Sequence, residues 1–365
     1  MSESVDILSV GLVSAGGWTL SETWANLIAG KDLRSPMPLD VAPHVKSKYS
    51  YLVPVDRCLP RRLTEIARRA AGQALAPGSM EVDAVYVGST SAAFNEVAQG
   101  QELDAGYLSE WLARRYKAPT WLQMSQACAS SGYAIGLGAD LIRSGRANVV
   151  LAGGADEVTA PAVAAFEAVR LHGDRCRPFD LERRNLVLGE AAAFVLLTKR
   201  GLGRPICSLD GVGLNCDAKD PAAPDPNGIL RVILEAIKDA GYAQTGALAA
   251  VDLVIAHGTG TKINDLTESK AIMNSLGPKP SVTSYKGALG HPQGASGAVA
   301  LALAIQALKT GYVFPTVGLQ VKDPEIKASV AASVRQIPLE RVLCLSSGSW
   351  GANAALAVSS RFHDE

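Results

Sequence analysis

The sequence predicts a layered α/β protein in which one βα pattern is written twice, and three observations carry that reading. DAVYVGST (83–90) and DLVIAHGT (252–259) share an Asp, a β-type apolar run and a small-residue turn ending in Thr. Each precedes an apolar helix entered through Ser-Gly and closed by Gly: SSGYAIGLGADLIRSG (130–145) and ASGAVALALAIQALKTG (295–311). Strands such as VVLAGGA and DLVIAHG are continuous apolar runs, the mark of sheets covered on both faces.

The remaining elements fall into the same order. The opening strand ILSVGLVS (7–14) matches CSLDGVGLN (207–215), and the helix LTEIARRAAGQAL (63–75) matches ILRVILEAIKDAG (229–241). Each half closes on apolar strands around a small-residue turn, NLVLGEAAAFVLLTK (185–199) and RVLCLSSGSWGANAALAVS (341–359). The order β…α–β…α–β–β thus occurs twice, with a join near Arg200–Pro205 and halves at 1–203 and 204–365. Two sheets with buried helices between them and outer helices beyond make a five-layer α/β/α/β/α body. Residues Trp18 to Pro60 read as extra surface structure in the first half, and KDPAAPDPNG (219–228) as a solvated loop.

Composition narrows the function classes. Lys+Arg and Asp+Glu both number 35, so nothing in the charge balance favours nucleic acid or an anionic membrane. The cysteines at 58, 128, 176, 207, 216 and 344 form no C-x-x-C pair, which points to a reduced cytoplasmic setting. MSESVDILSVG is acidic before its short apolar run and does not read as a signal peptide. AVALALAI (298–305) is too short to cross a bilayer. No G-x-G-x-x-G or P-loop follows the first strand, so a nucleotide-binding protein is disfavoured.

Three residues stand out for chemistry. Cys128 sits at the start of the helix at 130–145, where unpaired N–H groups favour an anion and would lower a thiol's pKa. The alternative is a buried structural cysteine among small residues. His257 follows the second-half strand in HGTGTKINDLTE, and His291 lies in SYKGALGHPQGASGA before the matching helix. Loop packing is the alternative for either histidine. If the halves are related by a two-fold axis, the helix entrances holding Cys128 and His291 face each other.

The chain resembles the β-ketoacyl synthases, decarboxylating condensing enzymes of the thiolase superfamily. The resemblance lies in QACASSGYAIGLGADLIRSG, VVLAGGADEV, CRPFDLERRNLVLGE, AHGTGTKINDLTES, SYKGALGHPQGASG and GSWGANAAL, in family order. It implies a thiolase-like fold and a catalytic set of Cys128, His257 and His291. The cysteine would take an acyl chain from a carrier-protein or coenzyme A thioester. The histidines would stabilise the enolate left when a malonyl thioester loses CO2. It further implies a supporting Lys286–Glu268 pair joined by Asp265, and pantetheine contacts from Thr259 and Thr261. The Cys128 and Ser349 N–H groups would form an oxyanion hole. No metal and no dissociable cofactor are implied, because phosphopantetheine arrives on the substrates. The implied partners are an acyl carrier protein and a second subunit, identical or related, paired through TWLQMS (120–125). Arg61, Arg62, Arg68 and Arg69 are candidates for docking the acidic carrier, or else an ordinary solvated basic face.

The sequence also departs from the family. The usual Gly-Phe-Gly-Gly-Thr-Asn run reads Gly348-Ser349-Trp350-Gly351-Ala352-Asn353, so Ser349 and Trp350 stand where the family gates its acyl pocket. The motif at 179–191 keeps Phe179, Asp180, Arg183, Gly189 and Glu190, with Asn185, Leu186 and Ala191 as replacements. Two rivals follow: a non-condensing partner subunit of a ketosynthase pair, which Cys128 argues against, and an acyltransferase or thioester hydrolase using the same cysteine.

Overall fold

The computed structural model describes residues 4–76, 80–92, 100, 106–220, 223–242 and 251–361. The first half contributes strands β1 (Val5–Ser14), β2 (Ala84–Gly88), β3 (Thr120–Met124), β4 (Val149–Asp156) and β5 (Ala191–Thr198). The second contributes β6 (Cys207–Cys216), β7 (Leu253–Ile255), β8 (Ser281–Thr283), β9 (Arg341–Ser347) and β10 (Ala352–Ser360). Across the sheet they run β1-β5-β4-β2-β3 and β6-β10-β9-β7-β8. First pairs last, last pairs fourth, fourth pairs second and second pairs third in both halves. The first two pairings are antiparallel and the next two parallel, again in both. The repeat legible in the sequence is therefore a repeat of topology.

One feature departs from two separate sheets. Val5–Ile7 pairs antiparallel with Cys207–Leu209, so β1 and β6 join the halves into one continuous ladder of 11 strands, completed at the β8 edge by Ser329–Val330. Closing this seam pairs the first three residues of each of these strands where they would otherwise end in buried edges.

The helices are α1 (Leu20–Ile28), α2 (Arg62–Leu75), α3 (Tyr107–Tyr116), α4 (Ser130–Arg143), α5 (Ala160–Ala168), α6 (Pro226–Asp239), α7 (Lys262–Leu276), α8 (Lys286–Leu289) and α9 (Ser296–Thr310). Both α4 and α9 touch strands of both halves and each other, forming the central layer. Their sequences suit that place: α9 is Ala/Leu-rich and buried almost throughout, as a helix with no solvent face must be. The two helices approach at glycines, where a Cβ on Gly297 would fall 2.8 Å from the Gly132 nitrogen. On the outside, α2 covers β1 and β5, α3 covers β2 and β3, and α6 covers β6 and β10 with α7 beside it. This is the expected α/β/α/β/α stack.

The segment from Trp18 to Pro60 is not merely surface structure. Trp24 and Leu27 of α1 are buried, and Trp24 meets Phe314 edge-to-face at 5.7 Å. Tyr51 is fully buried and donates its hydroxyl to the Gly287 carbonyl at 2.9 Å, bracing α8. The solvated loop at 219–228 is also shorter than expected. Asp225 caps α6 by accepting from the Asn227 N–H at 3.1 Å, and Pro226 takes the first helical position.

Candidate active site

Cys128 lies two residues before α4, directly after Ala127, which adopts a left-handed conformation (φ 47). His257 follows β7, and His291 follows α8 through Gly290 (φ 73). His291 is also held by the first half: its N–H donates to the Val187 carbonyl at 2.8 Å, and its carbonyl accepts from Gly189 at 3.0 Å. From three distant places the chain brings Cys128 Sγ and one ring nitrogen of each histidine within 4.8 Å of one another. All three side chains are buried and line one cavity, and the two rings stand edge-to-face at 5.2 Å.

The proton positions on the rings follow from their neighbours. The Gln293 backbone N–H donates to His291 Nδ1 at 3.2 Å. A backbone N–H can only donate, so Nδ1 carries the lone pair and the ring proton sits on Nε2. For His257, the Lys286 ammonium lies 3.3 Å from Nδ1 and donates to the His257 carbonyl. An ammonium has no lone pair to offer, which gives the same tautomer. Burial pushes both imidazoles well below their ordinary pKa, and the Lys286 charge adds to this. Two neutral rings thus present Nε2–H donors. Cys128, His257 and His291 are close enough to resemble a metal-ligand set.

Lys286 and Glu268 do not form the direct ion pair expected of them, at least among the described residues. They grip the His257 turn from opposite sides. Glu268 accepts from the His257 N–H at 2.6 Å and the Gly258 N–H at 2.8 Å, while Lys286 takes the ring and carbonyl. A short turn needs its N–H groups satisfied first, and the carboxylate is spent there. Burial lowers Lys286 to about 8 and raises Glu268, each moderated by the other's charge. Asp265 holds the next stretch, accepting from Phe179 N–H at 2.8 Å and Gly260 N–H at 3.2 Å, and burial raises it to about 6.

The thiol departs from expectation. Burial pushes Cys128 up to about 12, Lys286 pulls it down and Asp156 pushes it further up. Burial is the largest of these influences and holds the thiol above its ordinary pKa.

Thr259 and Thr261 line the cavity with their hydroxyls 2.9 Å apart. Ser349 and Trp350 stand at its rim, where Trp350 is left-handed (φ 67) and 70% exposed. Phe166, Leu171 and Leu186 supply an apolar wall; the sequence marked Leu186 only as a replacement, and nothing in α5 marks that Phe166 meets the cavity. Of the four arginines, Arg62 is excluded as a docking residue. It is buried, with Nη2 on Glu190 at 2.7 Å and Nη1 on Glu157 at 3.2 Å, because a buried guanidinium needs carboxylates around it. Arg68 and Arg69 both pair with Glu65, and Arg69 also stacks on Trp18 at 4.1 Å. Arg61 is exposed at the start of α2. At the sheet edge, β3 pairs only with β2 among the described strands, and Trp121 and Leu122 are 42% and 36% exposed.

A duplicated five-layer body with a cysteine and two histidines at the junction of its halves is a thiolase-like fold, and the comparisons with known proteins agree. Residues 120–201 match the family model "Beta-ketoacyl synthase, N-terminal domain", and 206–320 match the "C-terminal domain" model. The solved ishigamide ketosynthase/chain length factor superposes with a TM-score of 0.88 at 30% identity, covering 99% of this chain and all of that one. A β-ketoacyl synthase from Burkholderia phymatum gives 0.87 at 27% identity, covering 99% and 100%. Nodulation protein E of a Rhizobium species is 36% identical over 249 residues, which is 64% of this chain and 60% of that protein. The 3-oxoacyl-(acyl-carrier-protein) synthase 2 of Mycobacterium bovis is 36% identical over 238 residues, 60% of this chain and 56% of that one. The chain belongs to the β-ketoacyl synthase family, and the aligned part spans under two thirds of these curated relatives. Among the described residues, no helix is long and apolar enough to cross a membrane.

Proposed function

We propose that the protein is a β-ketoacyl synthase that joins an acyl thioester to a malonyl thioester by decarboxylative Claisen condensation, in fatty-acid-like or polyketide biosynthesis. The carrying observation is the meeting of Cys128 Sγ with two neutral imidazoles whose Nδ1 atoms are engaged, leaving two Nε2–H donors toward one cavity. First, Cys128 sulfur bonds to the acyl carbon, the carrier's sulfur leaves, and the thiol proton passes to that sulfur. The Cys128 N–H and that of Ser349 hold the acyl oxygen. Next, a malonyl thioester breaks its carboxylate C–C bond and releases CO2. The electron pair moves onto the thioester oxygen as an enolate, which the Nε2–H groups of His257 and His291 stabilise. The enolate carbon then attacks the acyl-cysteine, and the departing Cys128 sulfur recovers a proton from solvent.

The phosphopantetheine arm enters with the substrates, beside Thr259 and Thr261, and Ser349 and Trp350 gate the acyl pocket. The partners are an acyl carrier protein and a second subunit, identical or related, added across the exposed edge of β3. The name of the mycobacterial relative and the ketosynthase/chain length factor pairing of the solved structure support both. Six free cysteines suit the cytoplasm.

Intact-mass measurement with a panel of acyl-carriers tests the reading. Wild type gains an acyl adduct, and Cys128→Ala gains none. His291→Ala gains the adduct but releases no CO2 from malonyl-carrier. Normal CO2 release from His291→Ala would reject the role given to that ring.

A further inference from the structure

The two halves can be aligned residue by residue from their hydrogen bonds. Asp83 accepts the N–H groups of Asn148 and Val149, and Asp252 accepts those of Glu340 and Arg341. Val149 therefore corresponds to Arg341, and seven residues further on Asp156 corresponds to Gly348. At the central helices, Ser130 donates its hydroxyl to the Ala127 carbonyl at 2.5 Å, and Ser296 does the same to Gln293 at 2.6 Å. Ala127 and Gln293 are both left-handed, with φ 47 and 46. In that register Cys128 corresponds to Gly294.

These equivalences define one site built twice. In the second half the Gly294 N–H donates to Asp156 Oδ2 at 2.6 Å. In the first half the Cys128 N–H faces Gly348, where a Cβ would lie 2.9 Å from the Cys128 nitrogen. One copy of the site is filled by the protein's own carboxylate. The other has a glycine in place of that carboxylate, which leaves room for an acyl oxygen beside the nucleophile.

We propose that Asp156 is a positioning residue for His291, a fixed anion that fills the second-half copy of the oxyanion site and locks the turn aiming the ring. Its role for catalysis rests on the functional reading above. The turn needs such a lock: the N–H that fixes the His291 tautomer belongs to Gln293, whose left-handed backbone must be held by its surroundings. The end of β4 holds it at two points, through Gly294 on Asp156 and through Gln293 Nε2 on the Glu157 carbonyl at 3.1 Å. Asp156 is itself immobile. It is fully buried and also accepts from Ser89 Oγ, Ser91 Oγ, Thr90 Oγ1 and the N–H groups of Thr90 and Ser91, all within 3.1 Å. Burial raises its pKa and these donors oppose the rise.

Asp156→Asn tests this. Hydroxyl partners can turn to accept, but N–H groups cannot. An amide nitrogen at Oδ1 would face the fixed N–H of Ser91 and at Oδ2 that of Gly294, while the Thr90 N–H faces both oxygens, at 3.0 and 3.1 Å. Loss of the negative charge weakens the Gly294 bond in either orientation and the second breaks it, so the variant loosens the His291 turn. Gly294→Ala reaches the same bond from the other side, since its Cβ would lie 2.8 Å from Asp156 Oδ2. It decides the matter if Asp156→Asn does not fold. The readouts are thermal melting, the 15N signals of His291, acyl loading of Cys128 and CO2 release from malonyl-carrier. A folded variant is expected to lose the single Nε2–H tautomer. It should load acyl groups within about threefold of wild type and release CO2 ~10- to 100-fold more slowly, less than or equal to the loss of a whole oxyanion donor. An unchanged tautomer, unchanged CO2 release, or an equal fall in both half-reactions overturns the proposal. A wild-type protein that never releases CO2, with the tautomer shift still present in the variants, would instead sink the functional reading and leave the positioning intact.

Discussion

The starts of α4 and α9 are the same piece of backbone put to two uses. Each has a left-handed residue three positions before the helix and a serine closing the turn behind it. Each turns an N–H toward the end of a strand in the other half of the chain. At α9 that N–H meets the Asp156 carboxylate, and at α4 it meets Gly348 beside a thiol. The difference teaches that the site arises by subtraction. A position that the duplicated fold fills with a fixed anion is left open once, next to the nucleophile, and a transient anion can be bound there.

The largest effect should come from closing the open copy. Gly348→Ala would set a methyl 2.9 Å from the Cys128 nitrogen and 2.8 Å from Ala127 Cβ, covering the N–H without adding charge. Acyl loading should fall ~100-fold, the scale of one lost oxyanion donor. CO2 release, which uses the imidazoles, should change far less. A variant that loads acyl groups at the wild-type rate would break the equivalence of the two helix starts.

A smaller, graded effect sharpens the same comparison. Both helix starts favour an anion, yet only α9 has one at rest. The groups around Cys128 are Lys286, which favours the thiolate, Asp156, which opposes it, and two neutral imidazoles. With the thiol at about 12, only about one molecule in 10⁵ is a thiolate at pH 7. Alkylation of Cys128 by iodoacetamide should therefore quicken about tenfold per pH unit from pH 6 to 7.5, and less steeply once Lys286, at about 8, loses the charge that favours the thiolate. A rate already level below pH 7.5 would show that the helix start and Lys286 outweigh burial.

Much of this was legible in the sequence, and the failures share a cause. The repeat, the five layers and the three site residues are written in local patterns: apolar runs after Asp, Ser-Gly before helices, Gly-rich turns around histidines. The misses depend on partners far along the chain. Arg62 looks like any exposed helical arginine until Glu157 and Glu190 close on it. Lys286 and Glu268 sit near each other as expected, but each is committed to a different face of the His257 turn. The residues from Trp18 to Pro60 contain prolines and polar stretches that read as surface, while their few large apolar residues wedge against α9 and α8. Asp156 was present in the quoted VVLAGGADEV. Its meaning lay 138 residues away in Gly294, and no spacing along the chain signals that bond. The depressed thiol pKa expected from the helix start is opposed by burial, which is a property of the whole pocket.

Mixing the protein with an acyl-carrier and a malonyl-carrier, then following the masses of both carriers together with evolved CO2, measures the claim at the centre of this account. The prediction is one CO2 and one β-ketoacyl-carrier for each acyl group consumed, all lost in Cys128→Ala. Consumption of the acyl-carrier to free acid, with no CO2 and no lengthened chain, would contradict it.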